Sequence, residues 1–186
     1  MDFHFASAWE VVADKFPNRV ATISDDKPLS WQEFERRASC IASLLEEHGL
    51  GPDSKAGLYL HNCSEYQEAQ FGIFKVGGCP INVNYRYKSD ELVYLLDNSD
   101  AEAVFFQSCY AMRIWEIRER LPKVKLFVQI DDDTESLLKC AVDYERAIRT
   151  HQPLPRRTQN SDRVYMLYTG GTTGMPKGVM YPVGQF

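Results

Sequence analysis

The sequence has no hydrophobic run long enough to cross a membrane. A transmembrane helix needs about 20 consecutive, predominantly apolar residues, and polar or charged residues interrupt every apolar stretch of this chain. Residues 1–13 also lack the basic start and the apolar core of a secretory signal peptide. We therefore expect a cytoplasmic protein with no transmembrane segment.

An excess of positive charge is also missing. The 186 residues include 21 Lys and Arg against 26 Asp and Glu, which gives a formal net charge of −5. Nucleic acids and anionic membranes are bound by basic surfaces, so we expect neither as a partner. The short basic pair Arg156 and Arg157 is interpreted as part of a solvated linker. Hydrophobic residues make up 44% of the chain, which is typical of a globular protein with a packed core.

The chain lacks the patterns that hold structural metals or disulfides. Its five cysteines are an odd number without any C-x-x-C pair, and none of its four histidines has a partner at metal-ligand spacing. We predict that most of the cysteines are small buried residues and that the histidines have structural roles. The acidic run at residues 131–133 is interpreted as a solvated turn, because no carboxylate cluster faces it. No metal ligand is predicted.

Two widespread nucleotide motifs are absent, the phosphate loop G-x-x-x-x-G-K-[ST] and the dinucleotide fingerprint G-x-G-x-x-G. The chain instead carries LYTGGTTGMPKGV at residues 167–179. In this run Met175 and Pro176 separate Gly174 from Lys177, and Gly178 follows the lysine, so it does not match the first motif. A plain solvated loop is the simplest alternative interpretation of such a stretch.

The composition of this run is nevertheless suited to binding phosphate. Glycines allow positive φ and let backbone N–H groups approach an anion, and threonine hydroxyls add further donors. A lysine at the far end stabilises charge on phosphate oxygens. The residues concerned are Thr169, Gly170, Gly171, Thr172, Thr173, Gly174, Lys177 and Gly178. Lys177 is the one predicted to be catalytic.

Hydrophobic periodicity predicts alternating helices and strands. A capping box at Ser30 and Glu33 starts a helix that ends at Gly49, and a similar start at Ser64 and Gln67 begins the second. Further helices are predicted at residues 89–97, 108–121 and 134–150, and strands at residues 55–60, 80–83, 103–106, 126–130, 163–168 and 179–181. Aromatic residues in the helical stripes, such as Trp115, are predicted to be core. The alternation predicts an α/β fold with a mostly parallel sheet and helices on both faces.

Residues 169–178, TGGTTGMPKG, resemble the phosphate-binding signature [ST]-[SG]-G-[ST]-T-G-x-P-K-G of the adenylate-forming (AMP-binding) superfamily. Residues 29–34, 62–66 and 75–86 are similar to further motifs of that family, although Pro80 comes early in the last of them. Their order extends the resemblance over essentially the whole chain. The run at residues 168–182 is most similar to acyl-CoA synthetases that act on fatty or other lipid-derived acids.

The resemblance implies a reaction and a set of partners. The β- and γ-phosphates of ATP would bind at residues 169–174, aided by Mg²⁺ and Lys177. A substrate carboxylate would attack the α-phosphate, which releases pyrophosphate and leaves an acyl-adenylate. Coenzyme A would then take the acyl group.

The resemblance also implies the domain organisation. Residues 1–151 would form a first α/β subdomain, the N-terminal part of the large adenylate-forming domain. Residues 152–160, with two prolines and two arginines, would be a linker. Residues 161–186 would carry the strand and phosphate loop that open a second subdomain.

Several segments of the family have no counterpart in these residues. They are the adenine-binding Y-G-x-T-E segment with its magnesium-binding glutamate, the ribose-binding aspartate and a C-terminal lysine. The chain is therefore interpreted as an N-terminal fragment whose missing C-terminal part is an expected partner. The alternatives are a truncated, catalytically inactive chain that binds phosphate weakly, and an adenylating enzyme that loads a carrier protein.

Overall fold

The computed structural model describes residues 4–169 and 175–185 of the chain. Within these residues, one seven-stranded sheet has helices packed on both faces, and two further strands form a separate hairpin. The helices are α1 Phe5–Lys15, α2 Trp31–Glu47, α3 Ser64–Lys75, α4 Ser89–Asn98, α5 Ala111–Ile117 and α6 Tyr144–Thr150. The strands are β1 Val20–Ser24, β2 Lys27–Ser30, β3 Lys55–Tyr59, β4 Cys79–Asn82, β5 Ala101–Gln107, β6 Leu126–Ile130, β7 Ala141–Asp143, β8 Val164–Thr169 and β9 Lys177–Pro182. Within the described part of the chain, no helix combines the length and the apolar character that a membrane span requires.

The large sheet has the strand order β7-β6-β5-β3-β4-β8-β9. Neighbouring strands are parallel, except that β8 and β9 form an antiparallel pair. Strand β3, the first of the sheet in the chain, lies in its middle with β4 on one side and β5 on the other. The carboxyl ends of the parallel strands meet at one edge of the sheet, and open α/β sheets bind their ligands at that edge.

Side chains of the strands alternate between two separate cores. On one face, Ala103 and Phe105 of β5 pack with residues of α2, α3 and α6. On the other face, Val104 and Phe106 pack with residues of α4 and α5. Because both faces of β5 are covered, its sequence is a nearly continuous apolar run rather than an alternating one.

A third cluster, rich in aromatic residues, joins α1, α2 and α3. The ring centroids of Phe34 in α2 and Phe71 in α3 lie 5.3 Å apart, and Trp9 of α1 meets Phe71 edge to face at 5.1 Å. Helices α2 and α3 approach closely at Gly72, where a Cβ would come within 2.9 Å of the Ala38 carbonyl oxygen. A side chain at Gly72 would push the two helices apart.

The predicted α/β fold is confirmed, and most predicted elements are present with shifted ends. The strand at residues 126–130 is confirmed, and the last strand begins earlier than predicted, at Lys177. Ser30 caps α2 by accepting a hydrogen bond from the Glu33 N–H at 3.3 Å. In α3 the cap position is Cys63 rather than Ser64. The helix predicted at residues 108–121 is the short α5 between two 3₁₀ turns.

The helix predicted over residues 134–150 is wrong in its first half. The amide of buried Gln129 bonds the Leu138 N–H at 2.9 Å and the Ser136 carbonyl at 3.1 Å, which holds that segment as a loop. Strand β7 follows and pairs with β6. Helix α6 starts only at Tyr144, because Asp143 caps it by accepting from the Arg146 N–H at 2.6 Å.

Helix α1 and the β1–β2 hairpin were not predicted. His4 caps α1, since its Nδ1 accepts from the Ala6 N–H at 3.2 Å. The hairpin turns at Asp25 and Asp26, which have φ of 48° and 60°. Positive φ at both central residues is typical of tight hairpin turns, but two aspartates are a weaker sequence signal for it than Asn-Gly.

The segment at residues 152–160 is held against the helices rather than merely solvated. Arg156 forms ion pairs with Asp14 at 2.7 Å and Glu35 at 2.6 Å, and Arg157 pairs with Glu46. The segment leads into β8, which joins the same sheet through β4. The division into subdomains at this segment stays a prediction.

Two predictions of burial are wrong. Trp115 is 38% exposed, and the Arg118 guanidinium stacks on its ring. Of the cysteines, Cys40 and Cys79 are buried, but Cys109 and Cys140 are exposed. Helix α5 buries Ala111, Ile114 and Ile117 on one face, and Trp115 lies outside that face.

Candidate functional site

The predicted phosphate loop lies between two antiparallel strands. Thr169 ends β8, Lys177 begins β9, and these two residues face each other at the last paired position of the hairpin. Directly opposed residues in an antiparallel pair have Cβ atoms about 5 Å apart. The loop is therefore closed at its base by the two predicted ligands that the structure describes. The other predicted ligands, Gly170, Gly171, Thr172, Thr173 and Gly174, lie outside the described residues.

The two faces of this hairpin differ. Met166 and Tyr168 of β8 pack with the cluster of α4 and α5. Tyr165 packs with the aromatic cluster of α1, α2 and α3. Since side chains alternate along a strand, Thr169 and its partner Lys177 lie on the same face of the hairpin as Tyr165. Both are exposed, so a threonine hydroxyl and an ammonium group are available to an anion on that face.

Gly178 has a different role from the one that the sequence suggested. It lies in β9, paired with Tyr168, rather than in a turn that presents N–H groups. A Cβ at Gly178 would come within 3.0 Å of the Tyr168 ring and 3.2 Å of the Met166 sulfur. The absence of a side chain therefore lets the Tyr168 ring lie against β9.

Helix α4 is bonded to β8 and to the residue that precedes β9. The Tyr168 hydroxyl donates to Asn98 Oδ1 at 2.8 Å, and the Tyr94 hydroxyl donates to the carbonyl of Pro176, next to Lys177, at 3.3 Å. Burial raises the pKa of Tyr168, so its hydroxyl remains a donor at neutral pH. Sequence reasoning missed Tyr94 and Asn98, since their partners come from distant parts of the chain.

A cavity of about 500 Å³ adjoins the hairpin at the carboxyl edge of the sheet. It lies beyond the ends of β3 and β4, and Tyr168 closes one side of it. Amide and tyrosine side chains provide most of its polar lining. The polar residues are Asn62, Tyr66, Asn82, Asn84, Tyr85, Tyr87 and Tyr168.

His61 lies at the same edge in a polar and aromatic cluster. Its Nε2 is 2.6 Å from the hydroxyl of Tyr110, and its backbone N–H donates to Gln107 Oε1 at 2.7 Å. Burial is the main cause that raises the pKa of Tyr110 to about 12. These bonds join the loops after β3 and β5.

The acidic run at residues 131–133 forms a tight turn. The Asp133 N–H donates to Asp131 Oδ1 at 3.0 Å, and Asp132 accepts from the Cys109 N–H at 3.2 Å. Across residues 4–169 and 175–185, no group of three His, Cys, Asp or Glu side chains is placed to hold a metal ion.

The sequence profile of a family described as AMP-binding enzyme matches residues 9–186. The chain belongs to this family. The resemblance carried by residues 169–178 is thereby confirmed, and so is the fold that it implied.

Two of the named relatives are CoA ligases that act on a sterol-derived acid and on medium-chain acyl groups. The 3-oxocholest-4-en-26-oate–CoA ligase of Rhodococcus rhodochrous is 38% identical over 186 residues, which cover 97% of this chain and 33% of the relative. The medium-chain acyl-CoA ligase Mig of Mycobacterium avium is 38% identical over 188 residues, which cover 92% and 34%. The chain thus spans about a third of the length of the curated relatives it matches.

A solved structure supports the fold of the whole chain. The anthranilate CoA ligase AuaEII, in complex with anthranoyl-AMP, superposes with a TM-score of 0.90 at 22% identity. The match covers 98% of this chain and 35% of that one. At this identity the likeness concerns the fold alone.

Proposed function

We propose that this chain is the N-terminal part of an ATP-dependent acyl-CoA synthetase. The enzyme would activate a carboxylic acid as an acyl-adenylate and transfer the acyl group to coenzyme A. The observation that carries the proposal is Thr169 facing Lys177 at the base of the loop, within a signature of the AMP-binding family. The names of the relatives support the choice of coenzyme A as the acceptor.

The loop would act by holding the leaving pyrophosphate. As the substrate carboxylate attacks the α-phosphorus, the bond from that phosphorus to the bridging oxygen breaks, and negative charge grows on the β-phosphate. Thr169 and Gly170, Gly171, Thr172, Thr173 and Gly174 would donate hydrogen bonds to the phosphates. Lys177, whose side chain is exposed, would stabilise the growing charge.

Mg²⁺ stays a prediction. Mg²⁺ would neutralise charge on the phosphates when bound, but the described residues offer no cluster of ligands for it. No step is therefore assigned to the metal in this part of the protein.

A fatty or other lipid-derived acid is the proposed substrate class. The relatives named for medium-chain acyl groups and for a cholesterol-derived acid support it. We also place the enzyme in the cytoplasm, because all five cysteines are free thiols, as is usual in a reducing compartment.

The proposal is tested by acid-dependent exchange of labelled pyrophosphate into ATP, followed by transfer to coenzyme A. The protein that contains this chain should show exchange with fatty or sterol side-chain acids and then form a thioester. Exchange without transfer to coenzyme A would favour the carrier-protein alternative. If no carboxylic acid supports exchange, the proposal is wrong. With the 186-residue chain alone, hydroxylamine is expected to trap no acyl-adenylate as a hydroxamate. This is the result that the inactive alternative requires.

A further inference from the structure

Helix α4 is bonded to β8 on one side of the phosphate loop and to Pro176, just before β9, on the other. Tyr94 and Asn98 are four residues apart in α4, so they lie on the same side of the helix, one turn apart. Tyr94 donates to the Pro176 carbonyl on the β9 side, and Asn98 accepts from Tyr168 on the β8 side. We propose that these two residues, the α4 anchor, position Thr169 and Lys177, the two ends of the phosphate loop.

The end of the hairpin needs such support because the sheet gives it little. Strand β8 pairs with β4 at one position, Ile81 with Met166. Beyond Met166, the pair of Thr169 and Lys177 projects past this contact, and β9 is the edge strand. The α4 anchor bonds Tyr168, two residues past Met166 in β8, and Pro176, the residue before Lys177.

Helix α4 is a rigid support. Its residues Leu92, Leu95 and Leu96 are at most 1% exposed and belong to the core between α4, α5 and the sheet. Because these leucines are buried, the rotation of α4 about its axis is fixed. The side of the helix that carries Tyr94 and Asn98 is fixed with it. Supporting residues on a packed element hold a site more precisely than loop residues do.

Tyr168 links the two strands of the hairpin as well. Its hydroxyl is held by Asn98, and its ring lies against Gly178 next to Lys177. A shift of Asn98 would therefore reach the lysine through the Tyr168 ring. A displacement of about 1 Å in a reacting group is enough to lower a rate markedly.

The consequence for the reaction rests on the proposed function. If the loop holds pyrophosphate, the anchor affects the first half-reaction, in which ATP reacts. The transfer of an already formed acyl group to coenzyme A does not use the loop. Tyr94 and Asn98 are thus positioning residues for the ATP step.

The first test needs no activity and uses amide hydrogen exchange of the protein that contains this chain. Tyr94→Phe and Asn98→Ala should each speed exchange about fivefold at residues 166–169 and 175–179, the usual effect of losing one hydrogen bond. Asn98→Asp keeps an acceptor for Tyr168 and should restore slow exchange. Unchanged exchange in both Tyr94→Phe and Asn98→Ala would overturn the anchor.

The second test compares the two half-reactions. Tyr94→Phe and Asn98→Ala should lower kcat/KM for ATP in pyrophosphate exchange about fivefold each. Transfer from supplied acyl-adenylate to coenzyme A should keep its wild-type rate. If both half-reactions fell together, the residues would be structural only, and the proposal would fail.

The matched control is Tyr144→Phe, which also removes one tyrosine hydroxyl bond. Tyr144 donates to Glu68 at 2.9 Å, far from the hairpin in the core of α2, α3 and α6. The Tyr144→Phe substitution should lower the melting temperature and leave the rates of both half-reactions unchanged. If the wild-type protein showed no pyrophosphate exchange, the proposed function would be wrong. The amide hydrogen exchange of the variants would still decide whether the α4 anchor positions the hairpin.

Discussion

The ammonium group of Lys75 lies 2.5 Å from the carboxylate of Glu10 inside the molecule. Lys75 ends α3, Glu10 belongs to α1, and their side chains are 3% and 11% exposed. Glu35 of α2 lies 3.2 Å from the same ammonium group and also binds Arg156. One buried cation therefore joins three helices and the segment that leads to the candidate site.

Lys75→Met should destabilise the fold strongly. It would leave the buried carboxylate of Glu10 without the cation beside it and Glu35 with Arg156 alone, which costs about 3 kcal/mol or more of unfolding free energy. Urea unfolding measures the change. Lys125→Met is the matched control, because its pair with Glu102 is solvent-exposed on the lysine side and should change stability by less than about 1 kcal/mol. Equal effects of both substitutions would contradict the role of Lys75.

His4 should make stability depend on pH. Burial, with a smaller effect of Arg163, lowers the pKa of His4 from 6.5 to about 4. The unfolded chain thus takes up a proton at a higher pH than the folded one. Stability is fully present above pH 6.5, falls as the pH drops toward about 4, and changes no further below that value.

His4→Asn tests this dependence, since asparagine also caps helices. Between pH 6.5 and about 4, the wild-type protein should lose about 2 to 3 kcal/mol more unfolding free energy than the variant. Urea unfolding at several pH values measures the difference. Parallel pH profiles for the two proteins would mean that folding does not lower the pKa of His4.

Lys177→Ala should lower the adenylation rate by about 10² to 10³, the usual effect of losing one preorganised electrostatic group. Pyrophosphate exchange by the protein that contains this chain measures the rate. The unfolding midpoint should stay near the wild-type value, because Lys177 is exposed. Exposed Lys139→Ala is the control and should keep the full rate. Unchanged exchange in Lys177→Ala would rule out the proposed role.

Gly178→Ala should weaken both the fold and ATP use. The new Cβ would lie 3.0 Å from the Tyr168 ring, so the ring must move away from its place beside Asn98. We expect a loss of about 1 to 3 kcal/mol in unfolding free energy and a higher KM for ATP. Gly51→Ala, where no atom lies within 4 Å of the new Cβ, is the control. A Gly178→Ala protein as stable as Gly51→Ala would show that the ring does not depend on this contact.

Helix caps and runs of apolar residues predicted the elements that carry them. Strand β6 is an apolar run bounded by Lys125 and Asp131, and it was predicted to the residue. Helix α2 was predicted because Ser30 caps it and its apolar residues recur at helical spacing. The helix predicted at residues 134–150 was wrong in its first half, because buried Gln129 of β6 holds that part as a loop.

In the candidate site, the predicted ligands could be read from the sequence and the residues that support them could not. Thr169, Lys177 and the glycines between them were predicted because the chemistry of phosphate binding is carried by adjacent residues. The supports of the loop could not be read from the sequence. Tyr94 meets Pro176 across 82 positions and Tyr168 meets Asn98 across 70, and nothing in the local pattern joins them.

The sequence by itself determined the family, the alternation of helices and strands, and the identity of the predicted phosphate ligands. These follow from short-range periodicity and from a contiguous motif. Only the tertiary structure decided that Gly178 makes room for Tyr168, that α4 bonds Tyr168 and Pro176 at the two ends of the loop, and that Lys75 is buried between Glu10 and Glu35. Each of these depends on distant residues meeting, and the packing of the helices on the sheet sets which residues meet.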